Sequence, residues 1–442
     1  MESPSGKLVH ITTFGCQMNE YDSARMLGIL SELGYAPAES PETADLVLLN
    51  TCSVREKAQH KVYSFVGALR EVKRQRPGMI IGVGGCVAQQ EGRQLLKDIP
   101  YLDLVFGTGA LERLPELIAE AASGRRVACT DLDPGPLAPR RVALANPGLK
   151  AMVTVMQGCD NFCAYCVVPH VRGREKSRAA AQVVEEVAAL AKAGVREVTL
   201  LGQNVNSYRD PEGGADFADL LEMVAGVPEL WRVRFTTSHP KDLSPRLIEA
   251  LAGIDKVMDQ LHLPAQSGSD RILKAMRRGY TRARYLALVK DLRRRAPDLA
   301  LGGDIIVGFP GETEADFQAS LELIEAAGYD FLFSFKYSDR PFTKAIDLPG
   351  KIAEAEKSRR LARLQERQRE ISLALHRAQV GKLEEVLVEG PAKRGTGLMT
   401  GRTRANRAVN FPVPPELAGR LVMVRVEQGL VNSLRGKLVE PA

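Results

Sequence analysis

The 442-residue chain has no apolar run approaching the roughly 20 residues that a membrane span requires. Its first ten residues, Met1 to His10, lack the apolar stretch and small-residue cleavage site of a signal peptide. A membrane protein and a secreted protein are therefore not expected, and the chain is predicted to be soluble and cytosolic. Low-complexity tracts and sustained heptads are missing too, and 45% hydrophobic with 26% charged residues is an ordinary globular composition. A chain of this length with real cores is expected to form two to three domains.

Disulfides are not expected either, because a reducing compartment keeps thiols free. The seven cysteines therefore point to metal or redox chemistry. The net charge of +6 is unevenly placed: residues 351–442 hold 18 Lys and Arg against 10 Asp and Glu, leaving the first 350 residues slightly acidic. A basic C-terminal end is the pattern of a segment that meets a polyanion.

The pattern of the chain predicts an α/β protein in three parts. Residues 1–145 alternate short apolar runs (Leu8 to Thr13, Leu46 to Asn50, Met79 to Val83) with helix-like stretches such as Ser53 to Arg74, as in a parallel sheet. Asp131 to Gly148, polar and rich in Pro and Gly, reads as a linker. Residues 146–375 resume the alternation with six candidate strands: Met152 to Met156, Glu197 to Leu201, Arg232 to Thr236, Gln260 to Leu263, Leu301 to Val307 and Phe331 to Tyr337. Six βα units are too few for an eight-fold barrel and fit a partial one, with chemistry at the C-terminal strand ends. Lys351 to Val380 reads as a charged, solvated linker helix. Residues 376–442 change to short β patterns (Glu385 to Val388, Ala408 to Phe411, Leu421 to Val426), expected to form a small antiparallel barrel.

Cys159, Cys163 and Cys166 form C-x3-C-x2-C directly after a predicted strand. Three thiolates on one loop can hold three irons of a cubane cluster and leave the fourth open to an outside ligand. A structural zinc site with His170 as fourth ligand is the alternative. Cys16, Cys52 and Cys86 each follow an apolar run by one to three residues. Parallel strands joined by right-handed crossovers end on one edge, so these three are predicted to converge into a second three-thiol site. Cys129 lacks that context and reads as an inert, buried small hydrophobe.

Gly302 to Gly311, GGDIIVGFPG, would let backbone approach a flat ligand closely, with Gly303 and Gly308 as candidate contacts. Gln203 and Asn204 follow one strand and Gln266 and Ser267 another, each placed to hydrogen-bond a cofactor in the barrel mouth. Thr313 with Asp316 fits a helix capping box rather than chemistry. The dinucleotide pattern G-x-G-x-x-G is absent. In the last part Lys393, Arg394, Arg402, Arg404 and Arg407 are candidate phosphate contacts. With Phe411 the sole aromatic residue there, backbone recognition with steep salt dependence is expected.

The cysteine motif on the first strand of a partial barrel resembles the radical S-adenosylmethionine superfamily. The likeness extends to the MiaB-type tRNA methylthiotransferases through TTFGCQMNEYDS (Thr12 to Ser23), NTCSVREKA (Asn50 to Ala58), GGCVAQ (Gly84 to Gln89), QGCDNFCAYCVVPHVRGRE (Gln157 to Glu175), LLGQNVNSY (Leu200 to Tyr208), RFTTSHP (Arg234 to Pro240), HLPAQSGS (His262 to Ser269), DIIVGFPGET (Asp304 to Thr313) and GRTRANRAVNF (Gly401 to Phe411). The C-terminal barrel resembles a TRAM domain. Phe342 stands where relatives usually have Gly.

The resemblance implies two [4Fe-4S] clusters. Cys159, Cys163 and Cys166 would hold the one whose open iron binds S-adenosylmethionine and yields a 5′-deoxyadenosyl radical. Cys16, Cys52 and Cys86 would hold an auxiliary one that carries or delivers sulfur. The implied reaction is methylthiolation at C2 of N6-isopentenyladenosine beside the anticodon of tRNA, at position 37, with an external one-electron donor. An adenine C2–H is a poor acid and a poor hydride donor, so a cofactor-derived radical suits it better than side-chain acid–base catalysis. The rival targets are threonylcarbamoyladenosine in tRNA and an aspartate of a ribosomal protein; a non-catalytic iron-sulfur RNA-binding sensor is the rival of another class.

Overall fold

The computed structural model describes residues 6–53, 56–132, 135, 137, 148–393, 395 and 397–441. Most of the linker expected at Asp131 to Gly148 lies outside the described residues, as does Arg394.

The N-terminal sheet is wholly parallel, with strands β1 (Leu8–Phe14), β2 (Ala36–Pro37), β3 (Leu46–Thr51), β4 (Ile80–Gly85), β5 (Leu104–Phe106) and β6 (Val127–Cys129) in the order β2-β1-β3-β4-β5-β6. The chain turns outward from β1 to β2 and then returns to add β3 on β1's other side. That reversal is the switch point at which loops diverge and leave a crevice at the C-terminal edge. Strand β3, LVLLNT, is buried along its whole length. Leu46 and Leu48 enter one core and Val47 and Leu49 the other, so both faces of the sheet are covered.

The central unit has two parallel three-stranded sheets, joined by a parallel bridge between Val233 and Val257. One is ordered β11-β10-β7 and the other β12-β13-β14, from β7 (Lys150–Thr154), β10 (Glu197–Leu201), β11 (Arg232–Phe235), β12 (Gln260–His262), β13 (Ala300–Val307) and β14 (Phe331–Lys336). This is the six-stranded partial barrel expected. Between β7 and β10 a small ribbon, β8 (Met156–Gln157) with β9 (Lys176–Ser177), carries the chain around the C-x3-C-x2-C loop. Thr313 caps the helix Glu314–Ala327 in a full capping box with Asp316.

The helix Glu354–Arg377 is not the solvated linker expected. Its Leu364 joins the barrel core, and the stripe Gln368, Ser372 and His376 is buried at i,i+4 spacing. Gln368 Nε2 donates to the Tyr329 carbonyl (2.7 Å) and Ser372 Oγ to that of Asp330 (2.9 Å), so polar side chains seal the barrel's last strand. Beyond it, β15 (Leu383–Pro391), β16 (Leu398–Thr403), β17 (Ala408–Pro412), β18 (Leu421–Gly429) and β19 (Leu434–Pro441) close a five-stranded barrel around Val386, Val409, Phe411 and Val424. All its pairings are antiparallel except β17 with β19, which is parallel.

Candidate active site

Cys16 caps the start of helix Gln17–Glu32 after β1, Cys52 directly follows β3, and Cys86 opens a short helix after β4. Three adjacent parallel strands therefore bring them to one edge. The loops are tied by paired amides: Asn19 Nδ2 donates to Asn50 Oδ1 (3.0 Å), and Asn50 Nδ2 donates back to the Asn19 carbonyl (2.8 Å). Gly85, at φ +91°, passes so close to Asn50 and Thr51 that a Cβ would lie 2.5 Å from both. A hydrogen bond with Cys52 holds the Cys16 thiol down to about 6, with the charge of Arg172 acting in the same direction. Burial pushes the Cys86 thiol up, against the pull of Arg172. Cys129 does end a strand, but β5 separates β6 from β4; its thiol is buried in the core and accepts from Arg113 (3.2 Å).

The second set sits at the C-terminal end of the first barrel strand. Gly158, at φ +81°, abuts the carbonyl of Arg174 and opens the loop. Ala164 bonds Met276 through its N–H and Ala345 through its carbonyl, which fixes the loop to the far side of the barrel mouth. Asn161 Nδ2 donates to Cys159 Sγ and Arg278 Nη1 to Cys163 Sγ, each at 3.4 Å. Burial and the neighbouring Cys163 charge push the Cys166 thiol up to about 12; burial likewise raises Cys159. Cys159 and Cys166 both feel the charge of Cys163, and a metal bound there would have to displace their protons.

A short helix joins the two sets. Val168–Arg172 begins two residues after Cys166, and its Val171, with Val167, packs on Cys86. The Val171 carbonyl accepts from Thr108 Oγ1 (2.5 Å). Arg172 reaches across to Asp22 (2.9 Å), both side chains buried, and its Nη1 has no partner among the described residues. A buried cation in the field of the Cys16 and Cys86 thiols fits an anionic iron-sulfur group at Cys16, Cys52 and Cys86.

Five of the six expected cofactor contacts follow strand ends, several already engaged, whereas Gly303 lies inside β13. Gln203 Oε1 accepts from the Gly158 N–H (2.5 Å) and so steadies the cysteine loop. Asn204 links Asp242 (2.7 Å) to the His239 N–H (3.0 Å). Ser267 Oγ accepts from Ser269 N–H (3.2 Å), while Gln266, at φ +74°, is paired through its backbone to β13. The space a Cβ would need at Gly303 is filled by the Tyr329 ring, and at Gly308 by the Lys357 stem. Sequence reasoning passed over Ser238, His239 and Asn206. All carry buried polar atoms without partners among the described residues, on the loops after β10 and β11. His239 Nδ1 accepts from Lys241 N–H, which leaves the proton on an open Nε2; burial, then Arg278 and Lys241, lowers its pKa to about 2. Their signal was spacing: Asn206 lies two residues past Asn204, and Ser238-His239 follow a strand as Gln266-Ser267 do.

A cavity of about 1000 Å³ lies between the three units. Cys16 and Gln17 line it from the N-terminal sheet, Met152, His262 and Phe333 from the barrel, and Asn406 from the C-terminal domain. That domain is fastened to the barrel by its own arginines. Arg404 pairs with Asp259 (2.8 Å) and Arg407 with Asp330 (2.5 Å), the latter pair buried. Arg232 and Arg234 of β11 donate to the carbonyls of Arg402, Thr403 and Arg404. Arg402 is half-exposed at the cavity, near Glu389, and Lys393 is exposed.

Fold and cysteine sets together define a radical S-adenosylmethionine enzyme with a five-stranded domain appended. Residues 8–107 match the Uncharacterized protein family UPF0004, 153–324 the Radical SAM superfamily and 377–439 the TRAM domain. A tRNA-2-methylthio-N(6)-dimethylallyladenosine synthase of Citrifermentans bemidjiense is 52% identical over 440 residues, covering 98% of this chain and 99% of its own. One of Burkholderia cenocepacia is 48% identical over 448 residues, covering 98% and 97%. The chain belongs to the family of these methylthiotransferases. Among solved structures, the radical S-adenosylmethionine methyltransferase TsrM from Kitasatospora setae superposes with a TM-score of 0.57 at 17% identity, over 77% of this chain and 75% of its own. The cobalamin-dependent radical enzyme OxsB does so with a TM-score of 0.52 at 12% identity, over 83% and 56%. Both likenesses concern the fold. The radical SAM domain implies S-adenosylmethionine and [4Fe-4S] chemistry, and no helix among the described residues is long and apolar enough to cross a membrane.

Proposed function

We propose that the chain methylthiolates C2 of N6-isopentenyladenosine, the dimethylallyladenosine of its relatives' names, at position 37 beside the anticodon of tRNA. The observation that supports this reading is that β1, β3 and β4 end near Cys16, Cys52 and Cys86 on one sheet edge, with the helix Val168–Arg172 leading from the Cys159, Cys163 and Cys166 loop to Cys86, and Cys16 lining the cavity. In this reading residues 1–145, 146–375 and 376–442 act as sulfur-delivery, radical-generating and RNA-gripping units in the cytoplasm.

Cys159, Cys163 and Cys166 would hold one [4Fe-4S] cluster and Cys16, Cys52 and Cys86 a second. When bound, these groups supply one-electron cleavage of S-adenosylmethionine, drawing on an external donor, and delivery of sulfur. The protein's part is placement. Gln203 and Asn161 shape the cysteine loop; Asn204 and Ser267 hold the loops beside it. The Nε2–H of His239, the Ser238 hydroxyl and the Asn206 amide offer hydrogen bonds to S-adenosylmethionine at the mouth. Lys393 and Arg402 would contact the tRNA backbone, whereas Arg404 and Arg407 position the domain.

The cavity favours an apolar N6 substituent. Phe331 stacks on His262 with an interplanar angle of 12°, and Phe333, 51% exposed, stands edge-on to both. The cations there face carboxylates: Arg234 with Glu197, Arg369 with Glu366, Lys150 and Arg402 with Glu389, and Arg407 with Asp330. A threonylcarbamoyl group, which carries a carboxylate, would have to displace one of these acids.

The test is nucleoside mass spectrometry of isopentenylated tRNA incubated anaerobically with reconstituted protein, S-adenosylmethionine and a reductant, with 5′-deoxyadenosine followed in the same tube. A 2-methylthio product is expected. Deoxyadenosine without it would transfer the reading to threonylcarbamoyladenosine or a ribosomal aspartate. Neither signal from iron-loaded protein would leave the iron-sulfur sensor.

A further inference from the structure

The surface beside the C-x3-C-x2-C loop carries a continuous run of rings. Phe342, in the loop after β14, is 60% exposed and takes φ +68°, a left-handed conformation in which a bulky L-residue is strained. Its ring lies 5.8 Å from that of His170, tilted by 37°. On the other side of His170 stands Phe162, T-shaped at 6.3 Å, itself 38% exposed and at φ +44°. The guanidinium of Arg174, paired with Asp160, covers the Phe162 ring at 5.3 Å.

Folding rewards neither feature of Phe342, since the ring stays in water and the backbone is strained. The surroundings nevertheless hold it. Thr343 folds back on the Arg340 carbonyl through both its N–H (3.3 Å) and its hydroxyl (2.7 Å), and Ala345 N–H bonds the Ala164 carbonyl inside the cysteine loop (2.8 Å). The rings are thus fixed relative to Cys163 and Cys166, at the barrel rim. Strain preserved at such a place points to a contact made with something bound.

We propose that Phe342, His170 and Phe162 form a stacking platform for an unpaired base of the tRNA loop, next to the base that enters the barrel. This rests on the reading of tRNA as substrate. A base taken out of a loop leaves neighbours without stacking partners, and aromatic faces replace those partners whatever the base identity. Three rings present too little area for a stable protein interface, which buries about 1,200–2,000 Å² in all, but match one or two bases. The platform lies outside the C-terminal domain, where the single aromatic residue Phe411 is buried.

The experiment uses the full, reconstituted chain and a fluorescein-labelled anticodon stem-loop RNA, followed by anisotropy. Phe342→Ala is expected to weaken binding about five- to 150-fold, the range for losing one base–aromatic stack. Phe342→Trp should bind like the parent. Phe342→Gly accepts φ +68° without strain and so preserves the loop, yet should bind as weakly as the alanine variant. RNA-independent release of 5′-deoxyadenosine should be unchanged in all three, which reports an intact cysteine loop. Parental affinity in both the Ala and Gly variants would overturn the platform, as would a Trp variant as weak as the Ala one. Failure of the parent itself to bind the stem-loop would instead remove the tRNA reading, and the platform with it.

Discussion

Arg172 and Asp22 meet at 2.9 Å with both side chains almost wholly buried, one from the helix that follows the radical-site cysteines and the other from the helix that follows Cys16. This ion pair ties the two cysteine sets together. Removing one partner leaves the other charge buried and uncompensated, at a cost of about 3–5 kcal/mol. Arg172→Gln should therefore lower the urea midpoint sharply, and Arg172→Gln with Asp22→Asn should recover much of the loss. A double variant as unstable as the single one would show that the pair is not what holds the interface.

The two cysteine sets should be separable. Cys159→Ala is expected to abolish S-adenosylmethionine cleavage. Cys52→Ala should retain cleavage, lose methylthio product and carry about four fewer irons per chain than the parent. Iron assay with deoxyadenosine quantification in the same samples decides this; equal loss of cleavage in both variants would refute two roles.

In the metal-free protein the thiols should differ in reactivity. Cys16, held down to about 6, is largely thiolate at neutral pH, whereas Cys166, pushed up to about 12, is not. Brief alkylation with iodoacetamide at pH 7, read by peptide mass spectrometry, should label Cys16 first, with a midpoint near 6. The sign for stability follows. An ordinary unfolded thiol stays protonated up to about 8.5. The lowered value thus stabilises the fold fully above that pH, and the contribution is lost as pH falls through about 6.

Basic residues of the C-terminal domain should divide by role when tRNA binding is measured against salt. Lys393→Ala is expected to reduce the slope of log K on log salt by about 1 and leave stability unchanged. Asp330→Ala should do the reverse. It strands Arg407 in a buried pair, destabilises by about 3–5 kcal/mol and hastens proteolysis between barrel and C-terminal domain. A salt slope altered equally by both would contradict the division.

What the sequence by itself determined was local and periodic. Apolar runs ending in cysteine marked β1, β3 and β4, and parallel topology then required Cys16, Cys52 and Cys86 to share an edge. Of the strands missed, Ala36–Pro37, Leu104–Phe106, Val127–Cys129, Met156–Gln157 and Lys176–Ser177 are two or three residues long, too short to show a period, whereas Leu398–Thr403 and Leu434–Pro441 are longer but interrupted by Gly401 and Gly436. Tertiary structure decided where charge and polarity are used. The number of arginines in the last segment said polyanion, but only the packed interface shows Arg404 and Arg407 bound to Asp259 and Asp330, far away in sequence. Gln368, Ser372 and His376 looked like a solvated helix face because their partners are backbone carbonyls of other segments. Arg172 is an ordinary basic residue until folding buries it beside Cys16, Cys86 and Asp22. Such pairings depend on distances between segments remote in the chain, which no local pattern records.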